Sequence, residues 1–245
     1  MGLLQILLAE NLEDKEESRV IMEYMLDTIC LDSIEKYINK VPIKGITSTP
    51  SIIKREGEID FFPHMKKTLS LIGSKRTLHM QVVAKDFEGM IEDARNIWSN
   101  LGKEVYVKIP ATEAGLNALY KLKIDDPNCR ITSSAIYSKL QAFLALESGA
   151  NYIAIYTNRS ENTGINPFDI MLSSREYVEK NNLTGKIMAS SIKNTLQITE
   201  AIESGADAVT FSPEILKEFF DLAAPKQAVE RFTADWENLY QRKNI

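Results

Sequence analysis

The sequence predicts an α/β protein, a closed parallel barrel of eight strand–helix units in the (β/α)8 or TIM-barrel arrangement. Three observations predict it. Short apolar segments of strand length alternate with helical patterns along the chain, near residues 23–27, 43–47, 78–83, 104–109, 129–133, 152–156, 186–190 and 207–211. Eight such units in 245 residues match one barrel domain in size. An open doubly wound sheet is the alternative, but neither GxGxxG nor the GxxxxGK phosphate loop occurs.

The elements follow in order. Residues 1–21 open with Met1-Gly2-Leu3-Leu4-Gln5-Ile6-Leu7-Leu8 and then turn acidic. The apolar run is too short to span a bilayer and lacks a basic flank. Ile6 stands where a myristoylation signal needs Ser or Thr. This stretch reads as an amphipathic appendage or an alternative-start extension. The barrel then occupies 22–224. A helix near 86–100 carries Phe87, Met90, Ile91, Ala94, Ile97 and Trp98 on one side. Thr112 is an N-cap ahead of Glu113. An internal echo follows: Glu147-Ser148-Gly149-Ala150 leads into Tyr152–Tyr156, and Glu203-Ser204-Gly205-Ala206 leads into Ala208–Phe211. Each reads as a helix stopped by a Gly at C′ and followed at once by a buried strand. The helices before them show helical spacing at Leu140, Phe143, Leu144 and Leu146, and at Leu196, Ile198, Ala201 and Ile202. A last helix, within 225–245, follows Pro225. No Pro/Gly/Ser-rich linker divides the chain, so one domain with terminal helical segments is expected.

Composition excludes several functions. The chain is 44% hydrophobic and 26% charged with net charge −5, so no general basic field points to nucleic acid. Cys30 and Cys129 form no CxxC, which fits a reducing cytoplasm and argues against a disulfide framework or zinc site. The two histidines, His64 and His79, are far apart in sequence, and His79 reads as a partly buried strand residue. No metal, cofactor, nucleic-acid or membrane partner is expected.

Chemistry concentrates at Lys108. It lies in the apolar segment Glu104-Val105-Tyr106-Val107-Lys108-Ile109-Pro110, and lysine is seldom buried unless paired. Alternation puts Val105, Val107 and Ile109 on one face and Tyr106 and Lys108 on the other. If helices cover the first face, Lys108 points into the fold. Loss of water disfavours an ammonium, so its pKa should fall. A neutral amine in a closed pocket attacks a carbonyl and forms a Schiff base. From this segment alone, a strand-end lysine snorkelling to solvent competes with that reading.

Polar residues recur at the other strand ends, where barrels gather their chemistry. They are Asp27, then Thr47 to Ser51, Gln81, Thr132 to Ala135, Tyr156 to Arg159, and Ser190 to Lys193. Singly, each has an ordinary role as a cap, a satisfied core polar group or a surface charge. Six such strand ends, with the strand of Lys108 making seven, are harder to dismiss, because unpaired buried polar groups are costly.

Glu23-Tyr24-Met25-Leu26-Asp27-Thr28, Gly45-Ile46-Thr47-Ser48-Thr49-Pro50-Ser51, Val107-Lys108-Ile109-Pro110-Ala111-Thr112 and Tyr156-Thr157-Asn158-Arg159 occur here in one order. In that order they resemble the small transaldolase family, which includes the fructose-6-phosphate aldolases. The resemblance runs from about residue 22 to the C-terminus. It implies a barrel with the Schiff-base lysine at Lys108, on strand four. It implies Asp27 as a proton acceptor, and Tyr156 as an acid/base acting through a water held by Gln81 and Ser134, where the family usually has threonine. Arg159 and Ser191 match the phosphate positions, and Thr47 and Thr49 match substrate-binding positions. Gln81 and Tyr156 match the aldolase branch, whereas transaldolases carry glutamate and phenylalanine there. The resemblance therefore implies a metal-independent class I aldolase acting on a ketose phosphate such as fructose 6-phosphate. The alternatives are a transaldolase of the pentose phosphate pathway and a non-catalytic sugar-phosphate-binding barrel. Homo-oligomers, pentameric or decameric, are also implied. The family motif Thr-Thr-Asn-Pro-Ser departs here to Thr47-Ser48-Thr49-Pro50-Ser51, so Thr49 offers one hydroxyl where an amide usually bonds the donor.

Overall fold

A computed structural model describes residues 22–245. The expected readings of residues 1–21 lie outside it. Eight strands, β1 (Glu23–Asp27), β2 (Ile43–Thr47), β3 (Thr77–Gln81), β4 (Tyr106–Pro110), β5 (Ile131–Ile136), β6 (Tyr152–Tyr156), β7 (Lys186–Ser190) and β8 (Ala208–Phe211), pair in sequence order. Every pairing is parallel, and β1 closes on β8. The barrel is therefore complete, and the open-sheet alternative falls. Strands β3, β4 and β5 sit one to three residues away from their expected bounds, because pairing with neighbours, not apolar content, sets where each strand ends.

Helices cover the outside. They are α1 (Leu31–Ile38), α2 (Pro50–Glu56), α3 (Phe61–Ile72), α4 (Phe87–Leu101), α5 (Glu113–Asp125), α6 (Lys139–Glu147), α7 (Thr157–Glu161), α8 (Pro167–Lys180), α9 (Thr195–Glu203), α10 (Pro213–Phe220) and α11 (Ala223–Tyr240). The starts are chemically marked. The Thr112 hydroxyl accepts from Gly115 N–H at 3.1 Å, as its sequence position predicts. Asp86, Ser138, Asn166 and Asn194 cap α4, α6, α8 and α9 in the same way. Ser134 and Ser191 are not caps, which removes their ordinary explanation. Gly149 and Gly205 both have positive φ, 89° and 85°, and end the two echoed helices as expected. Pro225 lies inside the first turn of α11 rather than ahead of it, where its missing N–H has no helical partner to lose.

Strand alternation builds two layers. Outward residues such as Leu26, Ile46, Leu78, Val107, Ile109, Ile153 and Val209 form the core against the helices. Inward residues Met25, Tyr152, Ala154, Met188 and Ala208, with Tyr106, fill the barrel. Gly45 belongs to this filling: a Cβ there would lie 2.3 Å from Thr77 Oγ1. Not every expected apolar face is buried. Leu140, Leu144 and Leu196 stay exposed, and α6 and α9 instead pack through Ala142, Ala145, Leu146 and Ala201. Small alanines let those helices sit close to the strands and turn the leucines outward.

Candidate active site

Alternation along β4 leaves Val105, Val107 and Ile109 packed outward and sends Lys108 inward, 1% exposed. Among the described residues no hydrogen bond or ion pair holds its amine, which instead borders a pocket of about 300 Å³ at the C-terminal end of the barrel. Burial pushes its pKa down, Asp27 pulls it partly back up, and Arg159 lowers it further. The amine is thus biased toward the neutral, nucleophilic form, and the snorkelling alternative falls.

Asp27, at the end of β1, borders the same pocket. The Thr47 hydroxyl donates to its Oδ1 at 2.7 Å, and lies 2.6 Å from Thr210 Oγ1. Since Thr47 has one proton to give, Thr210 must donate to Thr47. Thr47 is fully buried and does not line the pocket; its hydroxyl holds the Asp27 carboxylate. Tyr156 ends β6 with its ring buried between Tyr137, edge-on at 5.5 Å, and the Arg159 guanidinium, 4.7 Å from the ring centre. Burial raises its pKa, Arg159 moderates the rise, and Tyr137 and Asp27 add to it. Tyr156 therefore keeps its proton and can donate it.

Gln81 and Ser134 flank the lysine from either side. Gln81 is in register with Lys108 across β3 and β4, and Ser134 with Pro110 across β4 and β5. Gln81 Oε1 and Ser134 Oγ are both buried with no hydrogen-bond partner among the described residues. Two orphaned oxygens beside one amine suit a small polar guest such as water. At the opposite wall, Ser191 adopts φ 59°, a conformation rare outside glycine, as does Ala135 at 55° past Ser134. Such strain at strand ends accompanies functional sites. Thr49 borders the pocket and caps α2 through a 3.4 Å contact to Ile52 N–H.

The pocket thus unites Asp27, Thr49, Lys108, Tyr156, Arg159 and Ser191; Thr47 joins it through its bond to Asp27, and Gln81 and Ser134 through the strands paired with that of Lys108. Its wall also carries Ser51, Arg55, Asn158, Ser190, Lys193 and Ser212. None of these six was assigned a role from sequence. Arg55 had a legible signal: it lies four residues after Ser51 on a short helix, hence on the same face. Ser212 follows β8, whose end carries no motif. Among the described residues, no three His, Cys, Asp or Glu side chains cluster to hold a metal ion, and no helix is long and apolar enough to cross a membrane.

Fold and pocket define a class first: a (β/α)8 barrel whose mouth is a pocket lined by Arg55, Arg159 and Lys193 and bordered by the buried Lys108. The chain belongs to the transaldolase/fructose-6-phosphate aldolase family, whose sequence profile matches residues 24–243. It is 39% identical over 224 residues to a probable fructose-6-phosphate aldolase of Streptococcus pneumoniae (strain ATCC 700669 / Spain 23F-1), covering 91% of this chain and all of that relative. It is 31% identical over 218 residues to probable transaldolases of two Desulfitobacterium hafniense strains, DSM 10664 / DCB-2 and Y51, covering 89% of this chain and all of each relative. The protein is accordingly an aldolase or transaldolase enzyme.

Proposed function

We propose that this enzyme is a Schiff-base aldolase that cleaves or forms a ketose phosphate such as fructose 6-phosphate. The observation that carries the proposal is the buried, unpaired Lys108 amine at the pocket floor. It adds to the ketone carbon and water leaves, giving an iminium. Asp27 takes the proton from the hydroxyl on the carbon beyond the scissile bond. That carbon becomes the aldehyde carbonyl, and the bond's electron pair passes to the iminium to give an enamine. The aldehyde, such as glyceraldehyde 3-phosphate, departs with its phosphate released from Arg159 and Ser191. Tyr156 returns a proton to the enamine carbon, through a water held by Gln81 and Ser134. Hydrolysis then frees dihydroxyacetone and the lysine.

Transaldolase is the second reading, favoured by the relatives of that name at 31% identity. There the enamine waits for a second aldose phosphate and water is kept from it. Gln81 and Tyr156 weigh toward the aldolase, because Tyr156 supplies the proton that ends the enamine. Product analysis with fructose 6-phosphate, with and without erythrose 4-phosphate, separates the two. Release of glyceraldehyde 3-phosphate and dihydroxyacetone without an acceptor supports the aldolase. Turnover only with acceptor supports the transaldolase. Binding with no turnover under either condition leaves the non-catalytic barrel.

The same reading extends to a cytoplasmic homo-oligomer. Exposed Val229, Phe232 and Leu239 recur at helical spacing on α11, which buries none of its residues in its own chain. Tyr120, Ile124, Leu140 and Leu144 expose a second apolar surface on α5 and α6. Sedimentation velocity of the full chain tests this, and a monomer at micromolar concentration would refute it.

A further inference from the structure

The internal echo has a second part, at the front of the same two helices. Ser134-Ala135-Ile136-Tyr137-Ser138-Lys139-Leu140-Gln141 enters α6, and Ser190-Ser191-Ile192-Lys193-Asn194-Thr195-Leu196-Gln197 enters α9. The two runs stand in the same register as the echoed helix ends, and Ser, Ile, Leu and Gln recur in them. The backbone recurs too. Ala135 and Ser191 occupy matching positions, and both have positive φ, 55° and 59°. Outside glycine that conformation persists only where surrounding contacts hold it.

The glutamines supply such contacts. Gln141 Oε1 accepts from Tyr137 N–H at 3.0 Å, and its Nε2 donates to Ala111 O at 2.9 Å. Gln197 Oε1 accepts from Lys193 N–H at 2.7 Å, and its Nε2 donates to Glu161 and, at 3.4 Å, to Asn158 Oδ1. Gln141 thereby ties the loop after β5 to the segment after β4, and Gln197 ties the loop after β7 to the segment after β6. A side-chain amide suits this, since one end accepts and the other donates. The backbone repeats both links: Ala111 N–H donates to Ser134 O at 2.7 Å, and Asn158 N–H to Ser191 O at 3.3 Å. Ser138 and Asn194 accept from the glutamine N–H groups, so each set also caps its helix. Capping alone needs no bond to the preceding segment.

The two tied regions serve different chemistry. The loop after β5 carries Ser134 and presents Tyr137 edge-on to Tyr156, and Ala111 follows the strand of Lys108. The loop after β7 places Ser191 and Lys193 on the pocket wall, and α7 brings Asn158 and Arg159 to it. Neither glutamine lines the pocket. We propose that Gln141 and Gln197 are paired positioning residues with separate tasks. Gln141 sets the acid/base side, holding Ser134 and Tyr137 in place against Lys108 and Tyr156. Gln197 sets the phosphate side, holding Ser191 in place against Arg159. Both act through these groups and touch no reacting atom. The inference rests on the Schiff-base reading above, with the aldehyde phosphate at Arg159 and Ser191.

The test is steady-state synthesis by the full chain from dihydroxyacetone with glyceraldehyde 3-phosphate or with glyceraldehyde. Gln197→Leu should raise KM for the phosphorylated aldehyde about tenfold, with KM for glyceraldehyde and both kcat values within about threefold of wild type. Gln141→Leu should do the reverse, lowering kcat about tenfold or more with both aldehydes and leaving both KM values within about threefold. A swap tests the bond itself and serves if Gln197→Leu does not fold. Gln197→Glu keeps an acceptor for Lys193 N–H but sets a carboxylate against Glu161, so KM for the phosphorylated aldehyde should rise. Adding Glu161→Gln restores a donor there and should return that KM to within about threefold of wild type. A swap that recovers nothing overturns the assignment of Gln197. Loss of kcat and KM alike in both glutamine variants, in step with a lower melting temperature, reduces both residues to helix caps. If Arg159→Ala loses the wild-type preference for the phosphorylated aldehyde while Gln197→Leu keeps it, this inference fails and the phosphate reading stands. Equal KM values for the two aldehydes in the wild type remove the phosphate reading and the task of Gln197 with it.

Discussion

The two halves of the barrel interior are built from the same strands and differ in one respect: whether polar atoms have partners. In the lower half, His79 is fully buried with hydrogen bonds at both ring nitrogens, to Thr132 and Thr77 at 2.9 Å each. Its ring stacks on Tyr106 with centres 4.6 Å apart, and Tyr152 packs edge-on. The Tyr152 hydroxyl donates to Glu23 at 2.7 Å, and Lys186 closes the floor on the same carboxylate. Two residues further along β3, β4 and β5 stand Gln81, Lys108 and Ser134, and among the described residues Gln81 Oε1 and Ser134 Oγ have no hydrogen-bond partner. A satisfied layer stabilises; an unsatisfied layer above it waits for a ligand. Burying an unpaired amine costs stability, and the layer beneath offsets that cost.

Lys108→Met gives the largest contrast. It should lower turnover by about 10⁴-fold or more, as expected for loss of a nucleophile, and abolish borohydride trapping. It should also raise the melting temperature, by about 2–4 °C per kcal/mol regained. The unfolded chain keeps the ammonium to higher pH than the folded chain, so between those pH values unfolding takes up a proton and wild-type stability rises with pH. Urea titrations across pH should show that slope in the wild type and not in the variant. A variant less stable than wild type would mean Lys108 is satisfied after all.

Tyr156→Phe should reduce aldol cleavage by roughly 10²–10⁴-fold with little change in stability. Steady-state kinetics with fructose 6-phosphate measures this, and an unchanged rate moves the acid/base role elsewhere. Arg159→Ala should raise KM by about tenfold or more for phosphorylated aldehydes and much less for unphosphorylated ones. Equal effects on both would return Arg159 to the solvated surface.

His79→Leu tests the lower layer. It orphans the Thr77 and Thr132 hydroxyls at about 1–3 kcal/mol each, so melting temperature should fall while kcat changes less than tenfold. Burial, aided by Lys108 and Lys186, holds His79 well below its ordinary pKa. Wild-type stability should therefore decline as pH drops below about 6.5, where the unfolded chain takes up a proton the folded chain refuses. The variant should lose that decline. A large kcat loss without destabilisation would mean the two layers are not separable. Thr49→Asn is the smallest effect. It should improve turnover with dihydroxyacetone-type donors by no more than about tenfold, the equivalent of one neutral hydrogen bond at about 0.5–1.5 kcal/mol. Loss of activity on every donor would show a pocket built around threonine.

Local chemistry was enough to read the strands, the Thr112 cap, the paired Gly stops and Lys108 as an inward, deprotonation-prone amine. Alternation has a period of two, helix caps and positive-φ stops are single-residue requirements, and all are written in short stretches of chain. Tertiary structure alone decided the rest. It ended β3, β4 and β5 where their neighbours end, turned Leu140, Leu144 and Leu196 outward, and completed the burial of His79. It joined Thr47 to the Asp27 carboxylate, and brought Arg55 and Lys193 to a pocket also lined by Arg159. These outcomes depend on which residues from distant segments share a few ångströms, and barrel closure, not any local pattern, sets that distance.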